Sequence, residues 1–242
     1  MNENKNIKIL FATFFFIFII GAYYIGYMSA QLGLSAPFIP NKGVVREPSA
    51  PKDVPEMKLV EEVSPISLTG DEVSIGNQNS KYVMVTFTDF ECPFCARFHP
   101  GLSAVQKATD AKLVFKHFPL SFHQNAKNFA NMFECIAKNT DAQKAVAFAD
   151  DLFAENLKSQ GQIDLQGAKK IAYKYVNDQN LQNCSSDSSI TIKIENHFKQ
   201  GIELGIQGTP ALYIMNTESG KAVRINGALD QSALQAEFDK IK

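Results

Sequence analysis

The sequence predicts an α/β domain built from a β-α-β unit and a β-β-α unit, with a helical block inserted between them and one apolar membrane-spanning segment in front. Three observations carry this. The run Tyr82–Thr88 is rich in β-branched and aromatic residues and leads directly into a helical pattern. From about 124 to 204 the apolar residues recur at helical spacing. After Gly205 the character reverts to two short strand runs and a last helix.

The chain's 242 residues, 45% of them hydrophobic, suffice for one domain with a sizeable core plus extras. Lys plus Arg number 24 against 25 for Asp plus Glu, a balance that argues against a general nucleic-acid binder. Four cysteines are too few to build a disulfide-stapled miniprotein, and a chain of this size does not need one.

Residues 9–28 contain no charge. At about 1.5 Å per residue such a helix covers the roughly 30 Å hydrocarbon core. Lys5 and Lys8 precede it, and the next charge is Lys42. The positive-inside rule therefore puts residues 1–8 in the cytoplasm and the rest outside, in the periplasm or its extracytoplasmic equivalent. Tyr23, Tyr24 and Tyr27 cluster where an outer aromatic belt falls. The rival is a cleaved signal peptide: Ala30 supplies a small residue at −1, but Met28 does not fit at −3, and the apolar run is long for a signal core. An uncleaved anchor is favoured, and both readings export the rest of the chain. Residues 29–65 hold Pro37, Pro40, Pro48, Pro51, Pro55 and Pro65, which resist helix and read as a semi-rigid linker.

The folded domain is expected over 66–242. Short strand or loop pieces at 66–68 and 72–75 lead to a turn at 76–80. The strand Tyr82–Thr88 and a helix over 96–109 follow, with a kink expected near Pro100. A second strand covers 112–118 and stops at Pro119. Helices are expected over 125–138, after the cap Asp141, over 165–176 after Asp164, and over 189–204. Strands 211–215 and 222–225 form a hairpin, and Asp230 caps a final helix over 231–241.

Cys92-Pro93-Phe94-Cys95 lies at the first strand-to-helix junction. A helix start offers unpaired N–H groups and the positive end of the dipole, which hold the first sulfur as a thiolate, the species that exchanges disulfides. Pro93 suits a first turn, where its missing N–H costs nothing. A zinc knuckle needs a second ligand pair at similar spacing, and Cys135 and Cys184 stand alone, so no metal is expected. An inert structural disulfide is the other alternative. The ring is small, and strained exposed disulfides are the labile ones, which favours the redox reading.

With these residues in place the sequence resembles a DsbA-type thiol–disulfide oxidoreductase, and more narrowly the membrane-anchored or secreted DsbA-like proteins of bacteria. The resemblance runs from about Gly70 to the C-terminus. It rests on Phe87-Thr88-Asp89-Phe90-Glu91-Cys92-Pro93-Phe94-Cys95 and Gly208-Thr209-Pro210, and more weakly on Lys116-His117-Phe118-Pro119-Leu120 and Glu134-Cys135. It implies a thioredoxin fold with an inserted helical domain at about 124–204; the element order by itself leads to a sheet covered by the first helix on one face and the last on the other. It implies a cis Thr209–Pro210 bond against the active-site sulfurs, where an extended substrate segment pairs. Cys92 is then the exposed, attacked sulfur and Cys95 its buried partner. The implied partners are cysteine-containing exported substrates and a DsbB-like quinone-linked membrane reoxidant; no cofactor is implied.

The known strong oxidases carry Pro-His between the cysteines, whereas Phe94 offers no donor or charge to a thiolate. Asp89 and Glu91 raise the Cys92 pKa if they face the sulfur, and Arg97 and His99 oppose them. A weaker oxidant than the Pro-His type is expected. Cys135, in a helix, and Cys184, in a loop, are expected to pair in an exported chain, the alternative being a second redox relay. His99 is either a thiol tuner or a surface or groove histidine; His117, His123 and His197 read as packing or surface residues. The leading function is a dithiol oxidase of exported proteins. The rivals are a disulfide isomerase or reductase, against which the linker stands where a dimerisation domain belongs, and a non-catalytic thioredoxin-like binding module or chaperone.

Overall fold

The computed structural model describes residues 59–242. The anchor expected over 9–28 and most of the linker lie outside them, and among the described residues no helix is long and apolar enough to cross a membrane. The elements are β1 (Val60–Glu62), β2 (Ser74–Ile75), β3 (Tyr82–Thr88), α1 (Pro93–Thr109), β4 (Lys112–His117), α2 (Ala126–Asn139), α3 (Ala142–Lys158), α4 (Leu165–Ala172), α5 (Asp178–Ser185), α6 (Ser188–Glu203), β5 (Ala211–Asn216), β6 (Ala222–Asn226) and α7 (Gln231–Asp239). The caps at Asp141, Asp164 and Asp230 accept hydrogen bonds from the N–H groups of Lys144, Gly167 and Ala233.

One mixed sheet runs β1-β6-β5-β3-β4-β2. Only β3 and β4 are parallel, with Val85 opposite Val114 and Thr88 opposite His117. Successive side chains of a strand point to opposite faces. Met84, Leu113, Phe115, Leu212 and Ile214 therefore share one face, and Val83, Val85, Phe87, Val114 and Tyr213 the other.

Both α1 and α7 cover the first face, through Phe98, Leu102 and Val105 and through Leu234 and Phe238, and they pack against each other. This corrects the expectation that they take opposite faces. The second face is covered by α6, through Phe198, and by Val63, Ile66 and Leu68. Strand order is the reason. β5 lies on the far side of β3 from β4, so the return from β4 must cross β3, and α6 makes that crossing over the face α1 leaves free. An apolar pattern records that both faces are buried but not which helix buries each.

Other boundaries also differ from the sequence reading; the helix expected over 165–176, for one, ends at Ala172. The sheet starts inside the stretch read as linker: β1 pairs antiparallel with β6, Val60 opposite Ile225. Cys184 lies in the short helix α5 rather than in a loop, and it is bonded to Cys135 of α2 at a Cα–Cα distance of 5.6 Å. Asn180 to Ser185 carry few apolar residues, so the helix leaves little periodicity to read. The block α2–α5 is not a separate body. Phe133, Phe148, Leu152 and Phe153 join one continuous core with Phe90 and α1.

Lys116 faces the α6 side of β4, wholly buried, and its Nζ lies 2.6 Å from Glu72 Oε1. Burial alone pushes the Glu72 carboxyl up, but the Lys116 ammonium and the Thr69 and Gly70 N–H groups outweigh it and hold it at about 2. The pair ties the segment before β2 to the sheet.

At Gly201, α6 closely approaches Phe118 and Phe87. A Cβ there would lie 2.6 Å from two ring carbons of the buried Phe118. Gly201→Val is expected to destabilise the fold by about 2–3 kcal/mol through overpacking, beyond any gain in helix propensity. Urea unfolding of the two proteins checks this; equal midpoints would contradict the close packing.

Candidate active site at the Cys92–Cys95 turn

β3 ends at Thr88, and the turn that follows is closed by a hydrogen bond from Cys92 N–H to the Asp89 carbonyl, 3.1 Å. Cys92 is the N-cap of α1, extended at φ −72° and ψ 122°, and Pro93 is the first helical residue. The helix thus begins three residues before the predicted start at 96 and runs through Pro100. That shift places Cys92 at the positive end of the helix and Cys95 in its first turn.

Both cysteines are free thiols. The Cys92 thiol is lowered to about 6. The hydrogen bond from Cys95 is the main cause; burial opposes it, and the main-chain N–H groups of Cys95 and Phe94 and the Thr209 side chain add to it. Cys95 is pushed well up, first by burial and then by the hydrogen bond and charge it shares with Cys92; the Asp89 main chain and Thr209 counter this in part. The resemblance implied an exposed Cys92. It is 3% exposed and Cys95 2%, because the Thr209–Pro210 turn lies over the pair. That peptide bond is cis, and the Thr209 carbonyl oxygen is 3.6 Å from Cys92 Sγ. Phe94 projects outward, 56% exposed, with the Arg97 guanidinium 4.6 Å from its ring centre.

The acidic residues do not turn on the sulfur. Asp89 is buried, and its carboxylate accepts from Glu91 N–H, Leu120 N–H and His123 Nδ1, each at 2.8 Å. Glu91 Oε2 accepts from Asn125 N–H at 2.6 Å. From α3, buried Asn156 donates its amide to the Glu91 carbonyl at 2.9 Å and the Phe90 carbonyl at 3.4 Å. The helical block therefore grips the active-site turn from two sides. Asn156 went unremarked in the sequence, and His123 read as a packing or surface residue. One signal pointed to His123: β3 and β4 are parallel, so the loop after Pro119 leaves the sheet at the same end as the Cys92 turn.

The other histidines lie elsewhere. His99 is buried and pairs with Asp150 of α3 at 2.5 Å, so it is not a surface histidine. The His117 ring is buried against Glu134 at 2.7 Å, and the His117 main-chain N–H donates to His197 Nδ1 at 3.4 Å. Burial, aided by the charges of His117 and Lys116, lowers His197 to about 3. Ligand atoms of Asp71, Glu72 and His197 come within 4.8 Å of one another. Glu72 is already held by Lys116, and Lys193 donates to the Asp71 carbonyl, so a cation there meets two ammonium groups.

Residues 68–235 match the thioredoxin family. Among solved structures, DsbA2 of Pseudomonas aeruginosa is 24% identical, with a TM-score of 0.60 over 73% of this chain and 97% of that one. The thiol-disulfide exchange protein alpha-DsbA2 of Wolbachia pipientis is 20% identical, with a TM-score of 0.61 over 71% and 87%. The catalytic domain of Proteus mirabilis ScsC is 24% identical, with a TM-score of 0.57 over 70% and 88%. These likenesses are of fold. No curated protein matches the chain.

A lowered thiol is charged in the folded dithiol at a pH where it is still protonated in the unfolded chain. The dithiol form therefore gains stability as pH rises above about 6, up to the ordinary thiol value, and loses it as pH falls through about 6. Alkylation of the reduced protein by iodoacetamide is expected to modify Cys92 alone near neutrality, with a rate inflecting near pH 6. Peptide mapping checks the site, and an inflection above pH 8 would contradict the geometry.

Proposed function

The chain belongs to the thioredoxin family, and from that footing we propose that it is a thiol–disulfide oxidoreductase that introduces disulfides into other exported proteins. The asymmetry of the two sulfurs carries this reading. Cys92 is lowered to about 6 while Cys95 is pushed well above an ordinary thiol.

The exchange runs through Cys92. In the oxidised enzyme a substrate thiolate attacks Cys92 Sγ; the Cys92–Cys95 bond breaks, a mixed disulfide forms, and Cys95 leaves with the electron pair and takes up a proton. In that state Cys92 carries no charge, so the repulsion that raises Cys95 is gone while burial remains. A second substrate thiolate then attacks the substrate's own sulfur, and Cys92 leaves as a thiolate. The substrate has lost two electrons and the enzyme is a dithiol. A leaving thiol of low pKa departs faster, so a lowered Cys92 speeds release of the oxidised substrate.

Direction follows from the dithiol form: a Cys92 thiol lowered to about 6 stabilises the reduced enzyme as a thiolate relative to its disulfide, which favours passing the disulfide on. This disfavours the reductase and isomerase readings. A binding module needs neither the free thiols nor their asymmetry. Pro93 at the helix start, Phe94 on the exposed rim and the cis Thr209–Pro210 turn form the surroundings for a docked segment. The DsbA name of the Pseudomonas structure and the thiol-disulfide exchange for which the Wolbachia protein is named agree with this assignment. The uncharged segment 9–28, with Lys5 and Lys8 before it, supports a single-pass anchor with the catalytic domain outside the cytoplasm, where a quinone-linked DsbB-like protein would reoxidise the dithiol.

Full-length Cys95→Ser is expected to accumulate mixed disulfides through Cys92 with cysteine-containing exported proteins, and Cys92→Ser to accumulate none. Non-reducing gels and mass spectrometry of the adducts check this. Absence of adducts in Cys95→Ser, with the fold intact, would favour the binding-module reading.

A further inference from the structure

The loop after β4 makes a contact with the active-site turn that the exchange chemistry above leaves unused. Asp89 stands three residues before Cys92. Its carbonyl receives the Cys92 N–H, and its own main chain lies against Cys95 and favours that thiolate. Its side chain is fully buried, a costly place for a carboxylate without compensation. Both carboxylate oxygens accept: Oδ1 from Glu91 N–H, Oδ2 from Leu120 N–H and from His123 Nδ1. Because Asp89 only accepts, His123 must carry its proton on Nδ1. His123 itself is mostly buried, and the exposed Phe122 ring sits edge-on against it, 4.6 Å between centres. The other anion of the turn, Glu91, is bound to Asn125 N–H.

We propose that His123 is a positioning residue for the Cys92–Cys95 exchange, holding and compensating the buried Asp89 carboxylate so that its charge is not felt by the Cys92 thiolate one turn away. The proposal rests on the exchange reading of the site, but it concerns the thiolate and not the direction of transfer. Without His123 the Asp89 charge acts on Cys92 through the protein interior and favours the protonated thiol. Without Asp89 an anion is removed from beside the turn while the Nδ1–H dipole of His123 stays, which favours the thiolate. Loss of both leaves the sulfur close to its original environment. A purely structural role predicts something else: each change loosens the turn, and the double change loosens it most.

The test is a double-mutant cycle on the full-length chain in detergent, with the Cys92 thiolate titrated by its ultraviolet absorbance and by alkylation rate. This readout stands whether or not the protein oxidises any substrate. His123→Leu is expected to lower the thiolate fraction below the inflection about three- to tenfold, one pKa unit being tenfold. Asp89→Asn, which keeps the shape, is expected to move it the other way, and Asp89→Asn/His123→Leu to return it near the starting value. Shifts of the same sign in both single variants, or an unmoved thiolate in His123→Leu, would overturn the proposal. If His123→Leu does not fold, Asp89→Asn decides alone: a thiolate that is unchanged or raised in pKa overturns it.

Discussion

Everything in the site depends on one sulfur being placed at the start of one helix. The extended backbone of Cys92 turns β3 into α1 so that the N–H groups of Phe94 and Cys95 and the Cys95 thiol converge on Cys92 Sγ. Burial works against a thiolate there, and the local donors outweigh it. Cys95, one helical turn deeper, has burial and a neighbouring charge against it and stays a thiol. The same fold geometry thus gives two identical side chains opposite chemistry, one a good leaving group and the other a thiol that keeps its proton.

A turn of four residues does not hold that geometry alone. β3 and β4 end side by side, so the chain leaving β4 passes directly under the Cys92 turn. Asp89 and Glu91 use this proximity to bind Leu120, His123 and Asn125, and Asn156 closes the arrangement from α3. The helical block is therefore tied into the site itself. Its aromatic residues, Phe133 and Phe153, pack against Phe90 inside the turn, which ties the core of the block to the position of the sulfur. The Cys135–Cys184 bridge braces α2 against α5 at the far end of the same block.

Much of this was legible in the sequence because it is written in local patterns. Strand β3 and the strands of the final hairpin follow from β-branched and aromatic runs, and the caps Asp141, Asp164 and Asp230 from residue type and spacing. The Cys-Pro-Phe-Cys turn follows from its place between a strand and a helix. What was not legible depends on strand order. The shared face of α1 and α7, the joining of Val60–Glu62 to the sheet edge and the meeting of Asp89 with His123 are set by which strands lie adjacent. The direction in which an acidic side chain turns is likewise fixed by distant donors, so Asp89 and Glu91 read as threats to the thiolate when the fold had already bound them.

The measurement that bears most directly on this account is the redox equilibrium of the Cys92–Cys95 pair. The full-length chain in detergent is equilibrated in glutathione buffers of graded ratio, and its thiols are trapped by alkylation and counted by mass. Stabilisation of the Cys92 thiolate predicts a potential more oxidising than about −220 mV, with Phe94 in place of a histidine keeping it below the most oxidising members known, at about −120 mV. A potential at or below about −220 mV would contradict the account, since a dithiol so weakly favoured is not a donor of disulfides.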